Sequence, residues 1–223
     1  MDNNNFNVWM IVSSPYKKHV DNYNKINSHI HTNYFSAIDT VNNYKVYADF
    51  AVHKKYCTTR FKNQNRHSAD KIGNNLSHQL LLEKINESSN TEWNLILEDN
   101  IEIDMEKFMK ECNNILKEAE KNKSSFIQLY IHPKFNEIQR KRKKEIYKNL
   151  YEMCFQFGTS AYFIKKCAIN GFIEKFPLAN VIDIEYNKMI NTWRSLSWTD
   201  SGIILSNDQD LLKTKEELKS SLI

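Results

Sequence analysis

Leu95-Ile96-Leu97-Glu98-Asp99-Asn100 is an apolar run that empties directly into acids. Open α/β sheets bind ligands beyond the carboxyl ends of their strands, where a carboxylate can meet a cation without being buried in the core. A hard divalent ion takes oxygen ligands and bridges to a diphosphate, so a Glu-Asp pair there suits Mn2+ or Mg2+ and a departing nucleotide diphosphate. The competing reading is that Asp99-Asn100 turns the chain and caps the segment after it. Other residues carry similar pairs of readings. His78 shares a helical line with Leu82 and Ile85, which suits a hydrogen-bonded, partly buried histidine as well as a functional one. Asp183 follows Val181-Ile182 and precedes a helical pattern, the place of an N-cap. Arg140-Lys141-Arg142-Lys143-Lys144 is either a solvated helix face or an attractor for an anionic glycan, a membrane surface or a nucleic acid. His29 and His31 alternate as ligands do, but have no third partner nearby.

The chain that must position these groups has 223 residues and 41% hydrophobic content, enough for a buried core and too much for disorder or fibre. With four Gly and three Pro, a turn-dense β-sandwich and Gly-rich linkers are excluded. The net charge is +4, and setting aside the five cations of 140–144 leaves 26 basic residues against 27 acidic ones. The pI near 8.7 therefore reports one local cluster, and no specific nucleic-acid partner is expected. Cys57, Cys112, Cys154 and Cys167 are far apart with no CxxC pair, which argues against structural zinc. The run Val8 to Val12 is too short for a signal-peptide core or a membrane span. The expectation is a soluble, cytoplasmic protein with reduced thiols and no transmembrane segment.

Strand-length apolar runs alternate with amphipathic stretches, the pattern of an α/β fold. Strands are expected at Val8–Val12, Tyr34–Ile38, Trp93–Leu97, Phe126–Ile131, Ser160–Ile164 and Ile203–Leu205. Helices are expected at Lys17–Asn27 and Tyr44–Cys57, from a cap at Asn74 or Asn75 to Glu87, and from a cap at Asp104 through Phe108, Cys112, Ile115, Leu116 and Ala119. A basic helix is expected at Glu137–Leu150, and further helices at Lys165–Lys175 and Ile184–Trp193, with Thr58–Asp70 as loop. Without repeats or a boundary signal, 1–206 reads as a single domain and 207–223 as a polar C-terminal tail.

Asn75-Leu76-Ser77-His78, Leu95 to Asn100, Gln128-Leu129-Tyr130, Gly158 to Tyr162 and Ile182-Asp183 resemble, in order and spacing, glycosyltransferase family 25. That family includes lipopolysaccharide and lipooligosaccharide glycosyltransferases and the collagen galactosyltransferases. Val8–Val12 and Phe35-Ser36-Ala37-Ile38-Asp39 look like its first strand and its aromatic-x-Ala-x-Asp element. The resemblance implies a glycosyltransferase-A type fold, a Rossmann-like mixed sheet flanked by helices. It also implies transfer of a hexose, with UDP as the nucleotide, to a hydroxyl of a glycan or glycosylated-protein acceptor, assisted by Mn2+ or Mg2+. Glu98, Asp99 and Asn100 fall on the acidic metal motif, whose usual third residue is Asp. An amide oxygen ligates without charge, so metal affinity should fall or the metal role shift to Asp99. Asp39, Ser77, His78, Glu98, Asp99, Gly158, Thr159 and Ser160 are the implied donor-binding residues. Gly158-Thr159-Ser160 either brings backbone donors to the sugar or lets the chain enter a strand. If the reaction inverts configuration, Asp183 is the implied base, with Glu185 behind it. The stretch after the first strand lacks the family's arginines, leaving Lys17 or Lys18 as phosphate contacts. Peripheral membrane contact would run through 140–144.

Overall fold

Val8, Met10 and Val12 alternate with Trp9 and Ile11, and all five are buried, so this strand is covered on both faces. The structure is a computed structural model that describes residues 5–13, 16–40, 43–64, 69–131, 138, 140–154 and 158–205. Its first half runs β1 (Phe6–Val12), α1 (Lys17–Asn27), β2 (Thr32–Ser36), α2 (Tyr44–His53), α3 (Thr59–Gln64), α4 (Ala69–Ser88), β3 (Trp93–Glu98), β4 (Ile101–Ile103) and α5 (Met105–Lys121). The second half runs β5 (Phe126–Gln128), β6 (Glu145–Tyr147), β7 (Leu150–Glu152), β8 (Ala161–Lys165), α6 (Lys166–Ile173), α7 (Ile182–Trp193), β9 (Leu196–Trp198) and β10 (Ile203–Leu205).

An eight-stranded sheet has the order β2-β1-β3-β8-β5-β9-β7-β6, and β10 pairs with β4 in a small second sheet. Strands β2, β1 and β3 are parallel, which forms a Rossmann-like half, while β8 is antiparallel to both β3 and β5. The α/β expectation of a mixed sheet flanked by helices therefore holds. On one face, Val8, Met10, Leu95, Leu97 and Phe163 pack with Ile26 of α1 and with Phe108, Cys112, Ile115 and Leu116 of α5. On the other, Trp9, Ile11, Ile96, Phe126 and Tyr162 pack with Leu81, Leu82 and Ile85 of α4, Phe172 of α6 and Tyr186 and Trp193 of α7. Truncating a fully buried ring such as Phe126 or Phe163 to Ala costs about 3–5 kcal/mol. Among the described residues, no helix is long and apolar enough to cross a membrane.

Several expected boundaries move. Of the basic stretch expected as a helix over Glu137–Leu150, residues 138 and 140–142 are helical, but the helix stops there and the chain goes on into the β6–β7 hairpin. Lys148 and Asn149, at φ of 22° and 63°, make its two-residue turn, and β7 pairs with β9 through Leu150 and Trp198. Long-range pairing that buries Leu150 outweighs the local signal of the charge run. Helix α4 starts at Ala69, so Asn74 and Asn75 lie inside it rather than capping it, and the expected loop Thr58–Asp70 contains α3. Helix α7 begins at Ile182 with Val181 at the N-cap position, which leaves Asp183 inside its first turn. Asp104 caps α5 as expected, accepting from the Lys107 N–H. The tail 207–223 lies outside the described residues.

Candidate active site

The first strand-end acid, Glu98, lies on the α4 face of β3, the same face as Ile96 two residues earlier. Its Oε1 accepts from three donors: Thr159 Oγ1 at 2.6 Å, His78 Nε2 at 3.0 Å and Asn74 Nδ2 at 3.1 Å. Its Oε2 accepts from Ser160 Oγ at 3.1 Å. His78 and Asn74 project from α4, one helical turn apart. Thr159 and Ser160 lead into β8, whose register with β3 is continued by the Glu98 N–H donating to the Ser160 carbonyl. Behind His78 the network goes on. Tyr162 Oη lies 3.0 Å from His78 Nδ1, and Tyr186 Oη lies 3.0 Å from Tyr162 Oη. Burial pushes both phenols up, so each keeps its proton. Burial also works against a charged Glu98, but the hydrogen bond and charge of His78, then the hydrogen bonds from Thr159 and Asn74, hold its carboxyl below the ordinary value. With Glu98 ionised, His78 Nε2 donates to its Oε1, and the Tyr162 hydroxyl lies against His78 Nδ1 on the far side of the ring.

Asp99 turns the other way. Residues adjacent on a strand point to opposite faces, and Asp99 meets α1 and the end of β1. Its Oδ2 accepts the Ser13 N–H and lies 3.0 Å from Nδ1 of the buried His19. Asn22 of α1 clamps the same turn, donating to the carbonyls of Asp99 at 3.0 Å and Ile101 at 2.6 Å. A cation shared by Glu98 and Asp99 needs converging oxygens, whereas these two carboxylates diverge and each already serves protein donors. Among the described residues, no group of three His, Cys, Asp or Glu side chains is placed to hold a metal ion. The expected Glu98–Asp99–Asn100 metal site therefore does not fit the donor set as a joint chelate.

The structure brings Asp183 to the same end of the sheet. Its Oδ2 accepts from the Gly158 N–H at 3.3 Å, and its Oδ1 accepts from the Ile184 N–H at 2.8 Å. Gly158, at φ of 81°, occupies the left-handed region that favours glycine, and this aims its N–H at α7. Glu185 is buried and taken up by Asn180 Nδ2 at 2.7 Å and Lys188 Nζ at 2.7 Å. Ser77 is a buried clasp: its hydroxyl accepts from the Ile38 N–H at 2.9 Å and donates to the Gly73 carbonyl at 2.7 Å. That clasp holds the segment carrying the exposed Asp39 against α4. A Cβ on Gly73 would stand 2.7 Å from both the Ile38 carbonyl oxygen and Thr40 Oγ1, so only glycine allows this approach. The basic residues 140–144 precede β6, five strands from β3 in the sheet order. At about 4.8 Å per strand this is roughly 24 Å, which separates the cluster from Glu98.

The spacing did not reveal Asn74, Asn75, Tyr162, Tyr186 or His19 as parts of this arrangement. Asn75 joins α4 to α7, donating to the Asn180 carbonyl at 3.0 Å and accepting the Ile182 N–H at 2.9 Å. A legible signal existed for Asn74, which precedes His78 by four residues and so shares its helical face.

No protein-family model matches the chain, and no curated protein matches it in sequence. Among solved structures, A197 from STIV is similar over 91% of this chain and 94% of its own, at 16% identity and a TM-score of 0.41. A glycosyltransferase involved in the glycosylation of the major capsid of PBCV-1 is similar over 83% of this chain and 67% of its own, at 10% identity and a TM-score of 0.37. Likenesses this distant say nothing about chemistry, and the resemblance to glycosyltransferase family 25 rests on the short motifs alone.

Proposed function

We propose that the protein is a glycosyltransferase of family 25 type, moving a hexose from a UDP-linked donor to a hydroxyl of a glycan or glycosylated-protein acceptor. One observation carries the reading. Asn74, His78, Glu98, Gly158, Thr159, Ser160 and Asp183 are scattered over more than a hundred positions, yet four hydrogen bonds on Glu98, one between Gly158 and Asp183, and the 158–160 backbone join them at the carboxyl end of β3. In an open α/β sheet that end is where ligands bind. The group offers a fixed carboxylate, two hydroxyls and a backbone turn, a set suited to a polyhydroxylated ligand. Exposed Lys17 and Lys18, in the first turn of α1, supply positive charge beside the neighbouring strand ends for a diphosphate. Asp183, at the rim of this group, is the base if configuration inverts.

The test is donor hydrolysis or transfer by the full chain across UDP-glucose, UDP-galactose and GDP-mannose, together with melting temperature. A bound donor raises the melting point, and Asp183→Ala removes turnover while leaving that rise in place. Absence of both binding and turnover across the panel rejects the reading. A second reading, a non-catalytic glycosyltransferase-like binding module, draws on the engagement of both candidate bases: Asp183 by Gly158 and Ile184, Glu185 by Asn180 and Lys188. It expects donor binding without turnover for any acceptor.

A further inference from the structure

Glu98 and Asp99 face opposite sides of the sheet, and this bears on how a nucleotide sugar would be held. Three donors on Oε1 exceed the two lone pairs of a carboxylate oxygen, so Oε1 has no capacity left. Among the described residues, Oε2 has one donor, Ser160, and keeps room for another. The Glu98 side chain is 16% exposed, enough for that remaining direction to be reached. A neutral hydroxyl fits this single vacant acceptor direction without disturbing the others. Mn2+ or Mg2+ draws on unshared negative charge and demands close oxygen contacts, about 2.0–2.1 Å for Mg2+, which competes with the four hydrogen bonds, that of His78 among them. On the other face, Asp99 Oδ2 is taken up by the Ser13 N–H and lies against His19, so a cation there would meet Oδ1 alone, on the opposite side of the sheet from Glu98. Asn100 adds no charge.

Resting on the transferase reading, we propose that Glu98 accepts one hydroxyl group of the donor's hexose directly through Oε2, and that the site holds its nucleotide sugar without a divalent cation. Ser160 donates its proton to Glu98, so its oxygen stands ready to accept from the same hexose, whereas Thr159 both donates to Glu98 and accepts from Asn74 Nδ2 at 3.5 Å. The charge of the diphosphate is met by Lys17 and Lys18 instead of a metal.

The experiment is calorimetry on the full wild-type chain with UDP-glucose, UDP-galactose, GDP-mannose and the free nucleotides UDP and GDP, each in EDTA and in Mn2+. At least one nucleotide sugar is expected to bind with a Kd that agrees within about twofold between the two buffers. The same sugar should bind about tenfold more tightly than its free nucleotide, as suits hydrogen bonds to a charged acceptor. Loss of binding in EDTA that Mn2+ restores overturns the proposal and leaves the transferase reading standing. Binding in EDTA that is no tighter than the free nucleotide overturns the Glu98–hexose contact. If no nucleotide sugar binds in either buffer, the transferase reading falls and this proposal falls with it. A Glu98→Gln variant with unchanged circular dichroism should lose the tenfold increment and retain nucleotide affinity. Because Glu98→Gln places an amide against His78, the wild-type comparison decides if that variant fails to fold.

Discussion

Glu98 and Asp99 are neighbours of like charge, and the two faces of the sheet treat them differently. The α4 face surrounds Glu98 with side-chain donors from two separate elements, backed by the buried His78–Tyr162–Tyr186 chain. The α1 face holds Asp99 through a backbone N–H and a histidine, while Asn22 ties the carbonyls of the same turn. The first arrangement fixes the orientation of a carboxylate that keeps one acceptor direction open. The second fastens the end of β1 to the end of β3. Acids that look equivalent in the sequence thus divide into one ringed by side-chain donors and one that staples the chain.

The comparison breaks most sharply at His78. His78→Leu removes one of the four hydrogen bonds on the Glu98 carboxylate and the ring partner of the buried Tyr162 hydroxyl, and is expected to cost about 2–3 kcal/mol in urea unfolding. A loss below about 1 kcal/mol would show that the network does not hold Glu98. On the opposite face, Asn22→Ala removes two hydrogen bonds to carbonyls and should cost about 1–2 kcal/mol with the same method. Tyr186→Phe deletes only the last link of the buried chain, and a loss of about 1 kcal/mol is expected, read as a small drop in melting temperature. The smallest effect is one of pH. The folded Glu98 carboxyl lies below its ordinary value of 4.5, so its stabilisation is complete above that value and is lost as pH falls through the folded one. An acid titration of unfolding free energy should show this component in the wild type and lack it in Glu98→Gln. An identical acid limb in both chains would place the stabilising charge elsewhere.

Much of the architecture is local and was therefore legible. Strand β3, the Asp104-capped α5 and the pairing of apolar runs with amphipathic helices follow from periodicity and from one capping residue. The stretch 140–150 was legible in part: residues 140–142 are helical, but the switch to a hairpin from Glu145 depends on the pairing of Leu150 with Trp198, which the run of cations does not signal. The candidate site was legible as a set of residues but not as a geometry. Ser77 reads as a donor contact in the motif, yet its hydroxyl spans Ile38 and Gly73. Glu185 reads as a reserve base, yet Lys188, one turn along α7, already neutralises it.

By itself the sequence determined a mixed α/β chain with acids where a central strand ends, because apolar alternation and helical periodicity act over a few residues. Which acid meets which helix was decided only in three dimensions. Strand alternation sends Glu98 and Asp99 to opposite faces, and the donors that then reach them come from as far as 86 positions away, as for Ser13 and Asp99. Partners that distant are set by sheet order and helix packing, which no local pattern encodes.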